Sequence, residues 1–338
     1  MQKQAKSRQL ANYEEDLRSA ENDIALGPKD AYAWYRKGAA LNNLGRFREA
    51  LGSFDEAIEI NPKLGKAWYN KGSALAELRE DAEATKCFDR AIEIDPNDPY
   101  AWYHKGAALV NNVRDYQEAI KCLDKSISID PNTNPAAWTD KGAALANLAK
   151  YEEAIKSYDK ALEIDPNDAR AWADKGATLT KLGRYEEAME DYDRSLSIDP
   201  DDSYTLNLKA SALIGLRKNE QAIGCSDKAI ELNLNDSVAW FNRGVAFNNL
   251  RNYKVAVKCF EKSVQSDPNL PKAWYNKGLS LANMGKYKEA IQSYDKALQL
   301  NPNDAHSLYS KGEALYNLGK HKDAEKLFDK ARDMGLRV

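Results

Sequence analysis

An all-α chain of stacked helix hairpins, an α-solenoid, is the fold this sequence predicts, on three observations. The first is a period. Trp34, Trp68, Trp102, Trp138, Trp172, Trp240 and Trp274 open copies of one pattern, and Leu206 and Leu308 fill the same slot in two more. The step is 34 residues, except for 36 between Trp102 and Trp138. A fixed period of this length marks small units packed on their neighbours rather than one globular core. The second is apolar spacing. Trp68, Gly72 and Leu75 stand at i, i+4 and i+7, and Tyr185, Ala188, Tyr192 and Ser195 form the apolar or small face of a following helix in another copy. The third is punctuation. Gly183 sits between two helices, where a left-handed residue is wanted, and Pro200 closes its unit because it cannot continue a helix.

Along the chain, residues 13–28 align without a gap with residues 151–166, so residues 1–30 read as a degenerate N-terminal half-repeat. Asp16 and Asp23 replace two alanines there, which suits a solvating cap or the remnant of a longer array. Nine units follow, at about 31–64, 65–98, 99–134, 135–168, 169–202, 203–236, 237–270, 271–304 and 305–338. Each first helix repeats a small slot (Gly38, Gly72 and their equivalents) and each second helix repeats alanine, from Ala50 to Ala324. Glycine inside a helix costs roughly 0.5–1 kcal/mol relative to alanine, so its recurrence predicts close helix–helix approach. The third unit carries one extra residue in the turn at 111–113 and one in the connection 131–135. The sixth is the weakest: Leu206, Ala210, Asn219, Ser226 and Leu234 stand for Trp, Gly, Tyr, Phe/Tyr and Pro. It reads either as a hinge or as drift without consequence. The ninth ends without a counterpart of the N-terminal cap, leaving a face for solvent, another copy or a further domain.

Composition narrows the function. Lys and Arg number 49 against 52 Asp and Glu, a net charge of -3, without the basic excess of a nucleic-acid binder. No apolar run approaches the roughly 20 residues that span a bilayer, and the start lacks the apolar stretch of a secretory signal, so a cytoplasmic location is expected. Cys87, Cys122, Cys225 and Cys259 share one slot, directly before the bulky residue of the second helix. Stacked helices lie about 10 Å apart, too far for a disulfide, so buried thiols are expected. No CxxC or Cys/His cluster points to a metal or cofactor. His104, His306 and His321 are far apart, with no nucleophile motif or phosphate loop beside them, so no enzyme is expected.

Trp, Gly, Leu, Gly, Tyr, Ala, Phe/Tyr, Ala and Pro in this order and spacing, over residues 31–338, resemble the tetratricopeptide repeat (TPR) family. The resemblance implies a right-handed superhelix of antiparallel helix hairpins whose first helices line a concave groove. It further implies that the groove binds an extended or helical segment of another protein, making the chain a non-enzymatic interaction scaffold for a protein or peptide partner. Two alternatives remain open: self-assembly through the ends, chiefly the C-terminal one, or the targeting arm of an enzyme whose catalytic domain is absent. One slot departs from the family pattern. The residue before the small slot is basic in every copy, from Lys37 to Lys311, and an acidic residue recurs on the second helix, from Asp55 to Asp329. Within each hairpin these would lie at similar height, as a ladder of ion pairs or as independent solvated charges.

If the first helices line a groove, the slot after each tryptophan looks into it: Tyr35, Tyr69, Tyr103, Phe241, Tyr275 and Tyr309, with Thr139, Ala173 and Asn207 between. Eight residues on lie Asn43, Asn111, Asn147, Asn249, Asn283 and Asn317. Tyrosine offers a rigid surface with a polar tip, and asparagine can grip a peptide backbone. Equally, the tyrosines can be the default of the repeat and the asparagines mark helix ends. In the middle, Asp140, Asp174, Arg170 and Lys181 replace neutral positions, and Leu208, Ile214, Val238, Phe241 and Val245 offer an apolar patch. Units four to seven are therefore the expected specificity region. The slots that would supply a lysine–asparagine carboxylate clamp hold Tyr35 with Ala39, Tyr69 with Ser73, and Tyr103 with Ala107, which disfavours that activity.

Overall fold

Nineteen helices and no strand make up the described residues, 2–132 and 134–336, of the computed structural model. The chain divides into two compact units, Met1–Ala171 and Trp172–Val338, and the division falls inside α10 (Ala169–Lys181). The first unit holds α1 (Gln2–Leu26) and the pairs α2 (Ala31–Asn43) with α3 (Phe47–Ile60), α4 (Gly65–Glu77) with α5 (Asp81–Ile94), α6 (Pro99–Ala108) with α7 (Tyr116–Ile129), and α8 (Pro135–Asn147) with α9 (Tyr151–Ile164). The second holds α11 (Tyr185–Ile198), then α12 (Ser203–Gly215) with α13 (Asn219–Leu232), α14 (Ser237–Asn249) with α15 (Tyr253–Ser266), α16 (Pro271–Asn283) with α17 (Tyr287–Leu300), and α18 (Ala305–Asn317) with α19 (His321–Asp333). Within each unit every helix packs on the next, and successive first helices also touch, as α2 does α4 and α12 does α14.

Local chemistry sets the helix starts. Asp98 and Asp236 accept the free amides of Tyr100 and Val238 at 2.9 and 3.0 Å, capping α6 and α14. Pro99, Pro135 and Pro271 occupy first-turn positions, where the missing N–H is no loss. Tryptophan and proline are directly linked. The Trp68 indole N–H donates to the Pro62 carbonyl at 3.0 Å, and Trp102 and Trp274 repeat the bond to Pro96 and Pro268. Trp138 reaches Pro131, one residue further back because of the insertion, at 3.3 Å. These tryptophans are half-buried braces, each holding its hairpin to the preceding connection.

The small slot works as expected. A Cβ on Gly72 would stand 2.8 Å from the Phe88 ring, and one on Gly142 2.6 Å from Tyr158. Phe54, Phe88, Tyr158, Tyr192, Phe260 and Tyr294 are at most 1% exposed, each filling its hairpin. The turns differ from the glycine expectation. Gly183 has φ 76°, but Arg79, Ala149, Arg217 and Arg251 take the same left-handed conformation at 58–62°. The backbone turns back onto the helix end there (Arg217 N–H to Ile214 O, Lys218 N–H to Leu213 O), and those bonds hold the conformation without glycine. The third unit absorbs its extra turn residue in one wide turn, Leu109–Val113, followed by Arg114 at φ 57°. Among the second-helix cysteines, Cys87, Cys122 and Cys259 are buried, whereas Cys225 is half-buried; all four are free thiols. Burial pushes the Cys87 and Cys122 thiols up to about 11, far from a reactive thiolate.

Asp23 of α1, 44% exposed, also accepts a 2.6 Å bond from Arg36 and so ties α1 to α2. One expectation is corrected. The ion-pair ladder exists, but it joins neighbouring repeats rather than closing single hairpins. Lys71, Lys105 and Lys141 pair with Asp55, Asp89 and Asp124 of the preceding second helix at 2.5, 2.7 and 2.6 Å. In the second unit Lys209 pairs with Asp193, while Arg243, Lys277 and Lys311 pair with Asp227, Glu261 and Asp295 at 2.6, 3.1 and 2.6 Å. Each second helix lies against the first helix that follows it, so the cation finds the earlier acid. Lys175 also lies 3.7 Å from Asp191 of its own hairpin. The cation also sits over its own tryptophan, Lys141 being 5.2 Å from the Trp138 ring. No described helix is long and apolar enough to cross a membrane.

Candidate partner-binding faces

In the first unit the aromatic slot after each tryptophan is half-buried. Tyr35 and Tyr69 lay their rings 6.4 and 6.0 Å from Phe54 and Phe88, so one edge supports the core while the other meets solvent. Tyr32 and Tyr100, one turn earlier on α2 and α6, are 53% and 52% exposed and extend this surface. Tyr32 lies 5.5 Å from Tyr35. His104 fills a nest of Tyr69, Phe88 and Tyr103 at 5.5, 5.9 and 4.8 Å between centroids. Burial holds its imidazole below the ordinary histidine range, with Asp98 pulling the other way. Its ring fills the space between these aromatic side chains.

Asp140, expected as an open groove charge, is buried, while its partner Arg170 is exposed. The Asp140 side chain is 2% exposed and accepts from Arg170 at 3.0 Å, whereas Arg170 is 55% exposed. Burial pushes the Asp140 carboxyl above the usual range, against the Arg170 charge and hydrogen bonds from Arg170 and Tyr103. Burial, and then the Asp140 charge, raises the Tyr103 phenol well above the ordinary value. Thr139 is also buried and donates to Asp168 at 3.1 Å. Tyr103, Asp140 and Arg170 thus form a polar lock across three first helices, α6, α8 and α10. Asn147 is exposed at the end of α8 and donates to its own helix at Ala143 O, 2.9 Å away; Asn111 is exposed in the wide turn.

In the second unit Phe241, Tyr275 and Tyr309 repeat the half-buried aromatic slot, 6.0, 6.0 and 5.1 Å from Phe260, Tyr294 and Phe328. Val238, 45% exposed, Phe241 and Val245 stand at i, i+3 and i+7 of α14, with half-buried Leu208 and Ile214 on α12. Asp174 accepts from Tyr204 at 3.4 Å, and Lys181 is exposed. Asn207 donates to Asp236 at 2.7 Å, and Asn242 donates to the Asn207 carbonyl at 3.1 Å, tying α14 to α12. Asn249 is spent on Asn219 at 3.0 Å, and Asn283 is exposed at the end of α16. The asparagine slot therefore lies at helix ends, near the turns.

The tryptophan–proline braces and the Tyr103–Asp140–Arg170 lock escaped the sequence reading. The braces had a signal, an offset of six residues between proline and tryptophan in most copies, seven at Pro131–Trp138.

Models of the tetratricopeptide repeat match residues 31–64, 65–98, 135–168, 169–202 and 271–304; a second such model matches 87–121 and 293–326, and a third 237–270. A search of curated proteins gives no match. Among solved structures, the chain is similar to a tetratricopeptide repeat protein from Parabacteroides merdae (22% identity, TM-score 0.58, covering 71% of this chain and 94% of that one). It is also similar to the APC/C Cut9–Hcn1 hetero-tetramer structure (21%, TM-score 0.64, 90% of this chain and 60% of that one). A third is pilF of Pseudomonas aeruginosa (23%, TM-score 0.54, 60% and 91%). At these identities the likeness shows the fold, a TPR solenoid. One repeat model covers half the chain in five matches of a full period each, all in register with the tryptophan slot, and on that ground the chain belongs to the tetratricopeptide repeat family.

Proposed function

We propose that the chain is a non-enzymatic scaffold that binds segments of protein partners on the exposed faces of its first helices. The observation that carries this reading is the repeated aromatic slot, held half-exposed by a ring beneath it, as Tyr69 is by Phe88 and Tyr275 by Tyr294. A ring fixed before binding loses little conformational freedom when a partner covers it, and such rigid aromatic anchors favour affinity. The second helices present a different surface, dressed with i,i+3 ion pairs such as Lys86–Glu83 and Lys160–Glu163.

A photo-reactive residue placed at Tyr100 or Tyr204, both more than half exposed, is expected to cross-link captured proteins from native lysate. The same residue at Lys86 or Lys262 on the second helices is expected to give none. Adducts from the second helices alone overturn the reading.

A further inference from the structure

The second unit carries an asymmetry that the fold does not require. In α12 and α14 the charged side chains are Lys209 and Arg243, both engaged with Asp193 and Asp227. The face bearing Leu208, Val238, Phe241 and Val245 is therefore neutral. At the turn end of these helices the charge changes abruptly. Arg217, Lys218, Arg251 and Lys254 are exposed and make no ion pair among the described residues, with Glu220 as the acid between them. The two turns adjoin, since Asn249 bonds Asn219 across them at 3.0 Å. At the opposite end the same helices begin under Asp202 and Asp236.

Stability does not explain the cations. A helix N-terminus is the positive end of its dipole and favours acids. The second helices α9 and α11 follow that rule with Glu152, Glu153, Glu186 and Glu187 in their first turns. Helix α15 has no acid there and carries Lys254 instead, next to Arg251. The α15 N-terminus thus adds its positive field to unpaired cations, at the end of an apolar strip. Arg217 and Arg251 hold φ 59° and 58°, the left-handed conformation that Arg79 and Ala149 also take, so each presents a long cation from a fixed turn.

We infer that the α12–α14 face binds a protein segment in which apolar side chains are followed by a cluster of Asp or Glu, the apolar part on Val238, Phe241 and Leu208 and the acids at the Arg217–Arg251 turns. This rests on the proposed use of the first-helix faces and specifies the partner's chemistry. Charge complementarity of this kind sets register and direction, because the acidic Asp202–Asp236 end repels the segment's acids.

The test is selection from a random peptide library on the immobilised full chain. Selected peptides are expected to carry Asp and Glu in excess over Lys and Arg, beside Leu, Ile, Val or Phe. Arg217→Glu with Arg251→Glu is expected to weaken them about tenfold or more at low salt. Arg217→Asn with Arg251→Asn, which suits the same φ, gives the charge removal without reversal. Val238→Asp, at an exposed position, is expected to weaken them comparably. Peptides that lose binding with Val238→Asp but lack acids and ignore both arginine pairs would overturn the acidic partner and leave the first-helix reading standing. Failure to select any peptide, or selected peptides indifferent to every variant, would overturn both. Phosphatidylserine vesicles or single-stranded oligonucleotides bound through the arginines alone, with Val238→Asp neutral, would reassign the turns to a polyanion and overturn the inference.

Discussion

Glycine has opposite meanings at two helical positions here, and the difference is a matter of what stands within 4 Å. Gly52 lies in the interior of α3, exposed, with nothing near its missing Cβ. Replacing it with alanine gains about 0.5–1 kcal/mol of helix propensity and costs no contact. Gly72 has the same propensity deficit, but a Cβ there would meet Phe88 at 2.8 Å, and Phe88 is fully buried and cannot swing aside. Overpacking of that kind costs about 1–3 kcal/mol, which exceeds the propensity gain. Gly52→Ala is therefore expected to raise the urea midpoint of the full chain and Gly72→Ala to lower it. Equal shifts of the two would mean that helix propensity, not ring packing, keeps glycine in the repeated slot.

Among the elements, the sixth hairpin shows how one substitution requires another. Ala210 stands where other first helices have glycine, and Ser226 where other second helices have an aromatic ring; both are 0% exposed. The Gly244 site shows why they change together, since a Cβ there would lie 2.6 Å from the Phe260 ring. The buried Ser226 hydroxyl has no hydrogen-bond partner among the described residues, so the slot is weaker than a ring would make it. Ser226→Phe alone is expected to destabilise by overlap with the Ala210 methyl, and Ala210→Gly alone by about 0.5–1 kcal/mol of propensity. Together they should stabilise relative to wild type, with a coupling energy that a double-mutant cycle reads directly. Additive losses would sink the volume-exchange account. The exchange was visible in sequence as five aberrant slots, but the polar contacts that accompany it were not: Ser195 meets Thr205 at 3.1 Å, and Asn207 meets Asp236. The ladder illustrates a different limit. In a sequence of period 34, Lys71 has Asp89 eighteen residues ahead and Asp55 sixteen behind. Periodicity supplies both acids equally, and only the packing of α3 against α4 chooses the earlier one. Asp140 was misplaced for a related reason: its cover comes from Tyr103 and Arg170, one repeat away on either side, and a slot read within its own repeat looks open.

For the molecule as a whole, the period was the strongest signal because it repeats every packing decision many times, whereas each face is decided once. The ladder gives the scale of what repetition adds. Its cations are largely covered and its acids about half exposed, as with Lys105 at 15% and Asp89 at 48%. A half-exposed pair contributes about 0.2–1 kcal/mol, so no single rung decides the fold. Each rung clamps one interface between neighbours, and in a one-dimensional stack such contributions add. Lys71→Met, Lys105→Met and Lys141→Met combined keep the aliphatic stem near the tryptophan and remove the charge. The triple variant is expected to remain folded and to lose about 0.6–3 kcal/mol, read from the urea midpoint. Raising NaCl from about 0.1 to about 1 M shortens the screening length from about 10 to about 3 Å, which should narrow the gap between triple variant and wild type. A gap that persists in high salt would mean that the lysines act through short-range hydrogen bonds that salt does not screen. An unfolded triple variant would mean that the rungs are cooperative across interfaces, contrary to a stack of nearest neighbours.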